Sequence, residues 1–174
     1  MLSSDARVVP FSSAQAILGK QVRLFIRPSA DSKVFEGGVY DLEGLAAATE
    51  ETKVTDATPV VVASPIQVEV EWRFIIVDRE IVAGSEYRRW GRVSTQGSIP
   101  QAAIEFAVEA ALRWSPADIY CLDLASTSNR LGIVEANCFN ASRFYGAPVE
   151  RIIRAVNAHV LSKKGQLEEP PIQG

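Results

Sequence analysis

The sequence predicts an α+β protein of two small lobes with mainly antiparallel sheets, and three observations carry that expectation. A two-residue alternation runs through 68–77, and Asp78-Arg79 then turns the chain into a second strand-like stretch, Glu80–Tyr87, giving a hairpin. Two apolar stretches, Ile119–Ala125 and Leu131–Cys138, flank the turn-rich run 126–130 and read as another antiparallel pair. Ser64-Pro65 lies where the pattern changes, so the joint is placed between a smaller lobe at 1–66 and a larger one at 67–162. The polar, proline-containing segment 163–174 is expected to be loose.

Composition supports a packed protein. Of 174 residues, 47% are hydrophobic and 22% charged, the balance of an ordinary globular chain. The formal net charge of -3 supplies no broad attraction for nucleic acid or anionic lipid, so an anionic ligand must be held locally. No apolar run approaches the roughly 20 residues needed to span a bilayer, and 1–10 lacks the order of a secretion signal. A cytoplasmic protein without nucleic-acid or membrane partners is the expectation. Cys121 and Cys138 lie in apolar stretches without the spacing of a zinc site, and read as reduced core residues. The lone His159, among apolar residues of a helical stretch, is assigned a structural role.

Each element has a local reason. Ser12–Leu18 reads as a short helix stopped by Gly19, and 22–26 as a strand closed by Arg27-Pro28. The polar loop 28–38 carries Lys33 and ends in Gly37-Gly38, where backbone can approach a neighbour closely. A helix at 41–51 and a buried strand at 59–62 complete the first lobe. In 68–77, Val68, Val70, Trp72, Phe74 and Ile76 are assigned to a core face, and Glu69, Glu71 and Arg73 to a polar one. Ser98 and Gln101 have capping-box spacing before a helix whose stripe is Ile99, Ala103, Phe106 and Ala110, ended by Ser115-Pro116. A last helix begins at Pro148, with the stripe Val149, Ile152, Ile153, Val156 and Val160.

Asp123, Glu135 and Asn137 carry the chemistry. Glu135 and Asn137 stand two apart on one strand and share a face. If the turn is centred near Asn129, Asp123 lies opposite Glu135 on that same face, with Cys121 and Ile133 beside it. Two carboxylates at close range among apolar strands repel unless a cation intervenes. An oxygen-only donor set suits magnesium or manganese, which completes its shell with water and phosphate. The competing reading pairs Asp123 or Glu135 with Arg130 or Arg143. For Arg73 it is an ion pair or ladder with Glu86 or Arg88 beside Glu71, and for Lys33 a solvated loop lysine.

These residues also carry a resemblance. Leu122-Asp123-Leu124 followed by Ile133-Val134-Glu135-Ala136-Asn137 resembles the closing motif of ATP-grasp enzymes, whose acidic and asparagine residues bind the metal ions bridging ATP phosphates. Leu24-Phe25-Ile26-Arg27-Pro28, Lys33, Phe35 and Gly37 resemble a phage and bacterial clade in which arginine replaces the usual ATP-contacting strand lysine. Glu71-Trp72-Arg73-Phe74, Asp78 and Tyr87 continue the pattern.

The resemblance implies a nucleotide cleft enclosed by the two lobes, with ATP and magnesium or manganese as cofactors. It implies metal binding by Asp123, Glu135 and Asn137, and phosphate contacts by Arg27 and Lys33. It places Glu71 and Arg73 in the cleft and Ala63, Ile66 and Val134 against the nucleotide, with Arg27, Lys33 and Arg73 stabilising charge during reaction. The implied activity is ligation of a small or peptide carboxylate to an amine through an acyl phosphate. Family members are usually longer at the N-terminus, so the smaller lobe is expected to be incomplete, with a homodimer or a partner chain supplying the rest. The rival expectation is a nucleotide-binding partner module without turnover, and a third is a purely structural α+β protein.

Overall fold

The computed structural model describes residues 5–30 and 34–168. It is an α+β structure with two antiparallel sheets, and the chain divides after Ile66 into two compact units.

In the first unit, strands β1 (Arg7–Pro10), β2 (Leu24–Pro28), β3 (Gly38–Tyr40) and β4 (Pro59–Ala63) form a sheet in the order β1-β4-β2-β3. Helices α1 (Phe11–Leu18) and α2 (Leu42–Thr49) complete a core of Phe11, Leu18, Ile26, Leu45, Val60 and Val62. Pro10 precedes α1 because its ring fixes an extended entry and its missing N–H is not needed there. Gly19 closes α1 by donating to the Gln15 carbonyl at 2.9 Å, and Asp41 caps α2 by accepting from the Gly44 amide at 2.8 Å. The expected strand at 22–26 is shifted: Val22 is exposed and pairing begins at Leu24. Strands β1 and β3 are too short and polar to announce themselves by alternation.

The second unit contains β5 (Val70–Val77), β6 (Glu80–Arg89), β7 (Arg92–Val93), β8 (Ile119–Ser126) and β9 (Leu131–Cys138) in the order β7-β6-β5-β8-β9. Helix α3 (Gln101–Arg113) packs Ala103, Ala107 and Ala111 against Trp72, Phe74, Ile76, Tyr120, Leu122 and Leu124. Alanine along that stripe lets the helix backbone approach the sheet, leaving volume for the large strand side chains. On the other face, Ile152 and Val156 of α4 (Val149–Glu168) join Ala147 and Phe144 over Ile75, Ala83 and Cys121. The β5–β6 turn is tight and lacks glycine: Asp78 and Arg79 take φ of 51° and 69°, the left-handed pair that matches strand twist. Among the described residues no helix is long and apolar enough to cross a membrane.

Several local expectations are corrected. Every residue of β5 is buried, so its expected polar face is interior, because β5 is the central strand and is covered on both sides. Ser98 and Gln101 form no capping box. Pro100 precedes α3 with no side-chain cap, and Gln101 bonds Glu105 at 3.1 Å instead. The buried stripe of α3 is the alanine row, with Phe106 and Ala110 at its margin. On α4, Ile152 is buried while Val149, Ile153 and Val160 are exposed, and the helix continues through part of the expected loose tail to Glu168. Residues 169–174 of that tail lie outside the described residues. Cys121 is buried but Cys138, at the end of edge strand β9, is exposed; both are free thiols.

The α3 register is testable. Ala107→Leu should destabilise the protein by about 1–3 kcal/mol through overpacking. Leu112→Ala, at an exposed position, should stay within about 0.5 kcal/mol. Urea unfolding midpoints measure both.

Candidate functional site

Strands β5 and β8 place Arg73 directly opposite Asp123, and the β8–β9 register places Asp123 opposite Glu135. Asn137 pairs with Cys121, so Asp123, Glu135 and Asn137 lie on one face of the sheet. That face is apolar where α4 covers Ile75, Ala83 and Cys121, and becomes polar along the strands at Arg73, Glu71, Tyr87 and Asp123.

Asp123 is fully buried, and both its oxygens are engaged by Arg73: Nε donates to Oδ1 at 2.8 Å and Nη2 to Oδ2 at 2.6 Å. This planar fork is the geometry in which arginine outperforms lysine. Burial pushes the Asp123 carboxyl up, Arg73 opposes that rise, and neighbouring Glu135 adds to it. The hydrogen bond to Asp123 holds the Arg73 guanidinium firmly protonated despite burial. Arg73 also donates to the Arg143 carbonyl at 3.4 Å, and its guanidinium lies over the rings of Tyr87 and Tyr145 at 5.5 and 5.4 Å.

Tyr87 and Tyr145 stack with ring centroids 5.0 Å apart, and Tyr145 holds a positive φ of 50°. A bulky residue adopts that conformation only when its surroundings impose it. The Tyr87 hydroxyl donates to Glu71 at 2.7 Å, and burial followed by the Asp123 charge pushes that hydroxyl up. Arg88 reaches the other Glu71 oxygen at 3.2 Å.

The structure thus brings Arg73, Glu71 and the oxygen trio onto one face, but with different partners from those weighed on sequence. Asp123 pairs with Arg73 rather than Arg130 or Arg143, Glu71 with Tyr87 and Arg88, and Glu86 with Arg89. A bulge between Asp123 and Leu124 inserts Val134 as an extra residue. It turns Ile133 to the α3 side, correcting its expected place beside Asp123, and leaves Val134 exposed. The bulge gives no sign in the sequence, because Ile133 and Val134 are equally apolar. The stacked Tyr145 likewise follows from a loop conformation rather than a periodicity.

In the first unit, Arg27 is an exposed residue of β2 whose Nη1 donates to the Pro28 carbonyl at 3.1 Å. Gly37 lies against it: a Cβ there would stand 2.9 Å from the Arg27 Cβ, so the close approach read from Gly37-Gly38 is real at Gly37. Ala63 ends β4 opposite Phe25, and Ile66 is the last residue of the unit. Lys33 lies outside the described residues.

Opposite this face, on the α3 side, Glu86 is fully buried and accepts from Arg89 Nε at 3.0 Å and from the Ser94 hydroxyl. Burial alone would raise its carboxyl; the Arg89 and Ser94 donors reverse that and hold it below the ordinary glutamate range. Gly97 is in contact with it, and a Cβ there would stand 1.8 Å from Glu86 Oε2.

Residues 5–155 match the ATP-grasp domain of the R-to-K clade, family 2, and the chain belongs to that family. No curated protein sequence matches it. Among solved structures, the ATP-grasp ligase PsnB complexed with minimal precursor is similar at a TM-score of 0.57 and 13% identity, over 90% of this chain and 54% of that one. The macrocyclase MdnC bound with precursor peptide MdnA, from Microcystis aeruginosa MRC, is similar at 0.55 and 14%, over 87% and 54%. The D-alanine–D-alanine ligase of Bacillus anthracis complexed with ATP is similar at 0.52 and 16%, over 94% and 62%. At such identities the likeness is one of fold. The chain spans little more than half the length of PsnB and MdnC.

Two outcomes test this geometry. Arg73→Met should destabilise the protein by about 3–5 kcal/mol, since it strands a buried carboxylate, and the double variant with Asp123→Leu should recover much of that loss in denaturant melts. The Glu86 carboxyl is held lower in the folded than in the unfolded chain, so its contribution is present above the ordinary glutamate range, about 4.3, and is lost as pH falls through it. Urea midpoints between pH 6 and pH 3 should fall, and Glu86→Gln should start lower and flatten that slope.

Proposed function

We propose that the protein is an ATP-dependent carboxylate–amine ligase using magnesium or manganese, and that it acts through an acyl phosphate on amino-acid or peptide substrates. The observation that carries the reading is the convergence of Asp123, Glu135 and Asn137 on one sheet face, with Arg73 beside them, in a chain of the ATP-grasp family.

The donor set fits a hard divalent ion. Glu135 is exposed and Asn137 half-buried, and both offer oxygens on the face that carries Asp123. Asp123 would join them when Arg73 yields one of its two contacts, which the polar face and the Arg143 carbonyl allow. When bound, the ion neutralises and orients the ATP phosphates. Arg27 and Lys33 would add positive charge on the phosphates, arginine as a fork and lysine as a point charge. Ala63, Ile66 and Val134 would lie against the nucleotide, and Glu71 and Arg73 would contact nucleotide or substrate.

A substrate carboxylate oxygen attacks the terminal phosphorus of ATP, ADP leaves, and an amine displaces phosphate from the acyl phosphate to give the amide. The protein's share is positioning and charge stabilisation. The peptide-bound states of PsnB and MdnC support a peptide as the acid partner. Because the chain spans about half of those ligases, a homodimer or a partner chain is the proposed source of the remaining substrate contacts, in the cytoplasm.

Magnesium with a non-hydrolysable ATP analogue should raise the melting temperature. Glu135→Gln should reduce the magnesium-dependent part of that rise by about tenfold in apparent affinity. ADP release stimulated by mixed amino acids or peptides separates the ligase from a nucleotide-binding module without turnover. An unchanged melting temperature would sink both.

A further inference from the structure

The opposite end of the second unit's sheet carries a separate cluster. Asp78 sits in the β5–β6 turn, Asp118 immediately before β8, and His159 on α4. The three side chains each offer one ligating atom within 4.8 Å of the others. Asp118 lies five residues before Asp123, about 16 Å along an extended strand, so the cluster is distinct from the oxygen trio.

We propose that His159 and Asp118 bind a divalent transition-metal ion, zinc in the first instance, with Asp78 orienting the imidazole. His159 Nδ1 lies 2.7 Å from Asp78 Oδ2, a hydrogen bond that makes Nδ1 the donor when the ring is neutral. The lone pair of Nε2 then points away from Asp78, and Nε2 stands 3.7 Å from Asp118 Oδ2. That gap is too long for a hydrogen bond. It is close to the separation of two ligands sharing one ion at about 2.0–2.1 Å each, about 3.4 Å for a tetrahedral pair. A carboxylate on one imidazole nitrogen and an ion on the other is the arrangement that fixes the tautomer and strengthens the ligand.

The frame is held independently of any ion. The Asp78 amide donates to the Asp118 carbonyl at 2.8 Å, and Val77 pairs with Ile119, so the two acidic residues are fixed by the β5–β8 ladder. The His159 side chain is only 9% exposed, whereas Asp78 and Asp118 are 56% and 60% exposed, leaving a solvent side for water to complete the shell. An open hollow lined by Asp78, Arg79, Ser115, Pro116, Ala117 and Asp118 adjoins that side. One imidazole nitrogen with carboxylate and water selects zinc and its late first-row neighbours over magnesium or calcium, which prefer all-oxygen sites. Lys163 Nζ stands 3.3 Å from Asp118 Oδ2 and competes with the ion for that oxygen.

Titration calorimetry of the full chain with zinc, and visible absorption with cobalt, test the site without nucleotide. Saturable one-to-one binding is expected. His159→Ala and Asp118→Asn should each weaken it by about tenfold or more. Lys163→Gln, at an exposed position, should tighten it by about two- to fivefold, and Glu135→Gln should leave it unchanged. The proposal is overturned if neither the wild type nor Lys163→Gln binds zinc saturably. It is equally overturned if binding ignores Asp118→Asn, or if it is lost in Glu135→Gln, which would place the ion at the trio.

Discussion

A guanidinium and a carboxylate meet in the interior of a five-stranded sheet, between its central strand and a neighbour, and much of the second unit is arranged around them. Asp123 is without solvent contact, and its charge is tolerable there only because Arg73 satisfies both oxygens in one plane. Such a pair adds little net stability over apolar residues of the same size, yet losing either half is severe. Its value is in specification, since only the observed β5–β8 register sets these residues side by side. A slip by one residue would move Arg73 and Asp123 into the α3-facing core.

From that pair the polar network extends outward. The guanidinium lies over Tyr87 and Tyr145, Tyr87 bonds Glu71, and Glu71 bonds Arg88. Each partner satisfies a group that burial would otherwise penalise, and the low local dielectric strengthens every link. Apolar cover from α4 ends where this network begins, which leaves Glu135 and Val134 open on the edge strand. A charged, pre-ordered face that is dry on one side and open on the other suits the neutralisation of phosphate groups.

Much of this was legible from residues alone. The turns at Asp78-Arg79 and 126–130, the strands they join, and the pairing of Asp123 with Glu135 follow from period-two patterning and turn chemistry, which are local properties. The second helix of the first unit was legible from Asp41 and its cap for the same reason. Buried charge was not. Glu71, Arg73 and Glu86 look like solvent-facing residues, because alternation reports a side chain's face and not what covers it. The rotated stripe of α3 was hidden by alanine, which is weakly hydrophobic in any scale but decisive where a helix must come close. Lone His159 was given a structural role because histidine and aspartate 81 residues apart share no local signal.

The sequence by itself determined the secondary elements, the antiparallel pairing of the second unit and the face on which the acidic and amide oxygens converge, since these depend on neighbours in the chain. Tertiary structure alone decided which cation Asp123 holds, where the bulge at Val134 turns Ile133 away, and that Asp78 and Asp118 flank His159. Those outcomes are set by distances between segments remote in sequence, and such distances exist only once burial has packed the sheet and its helices together.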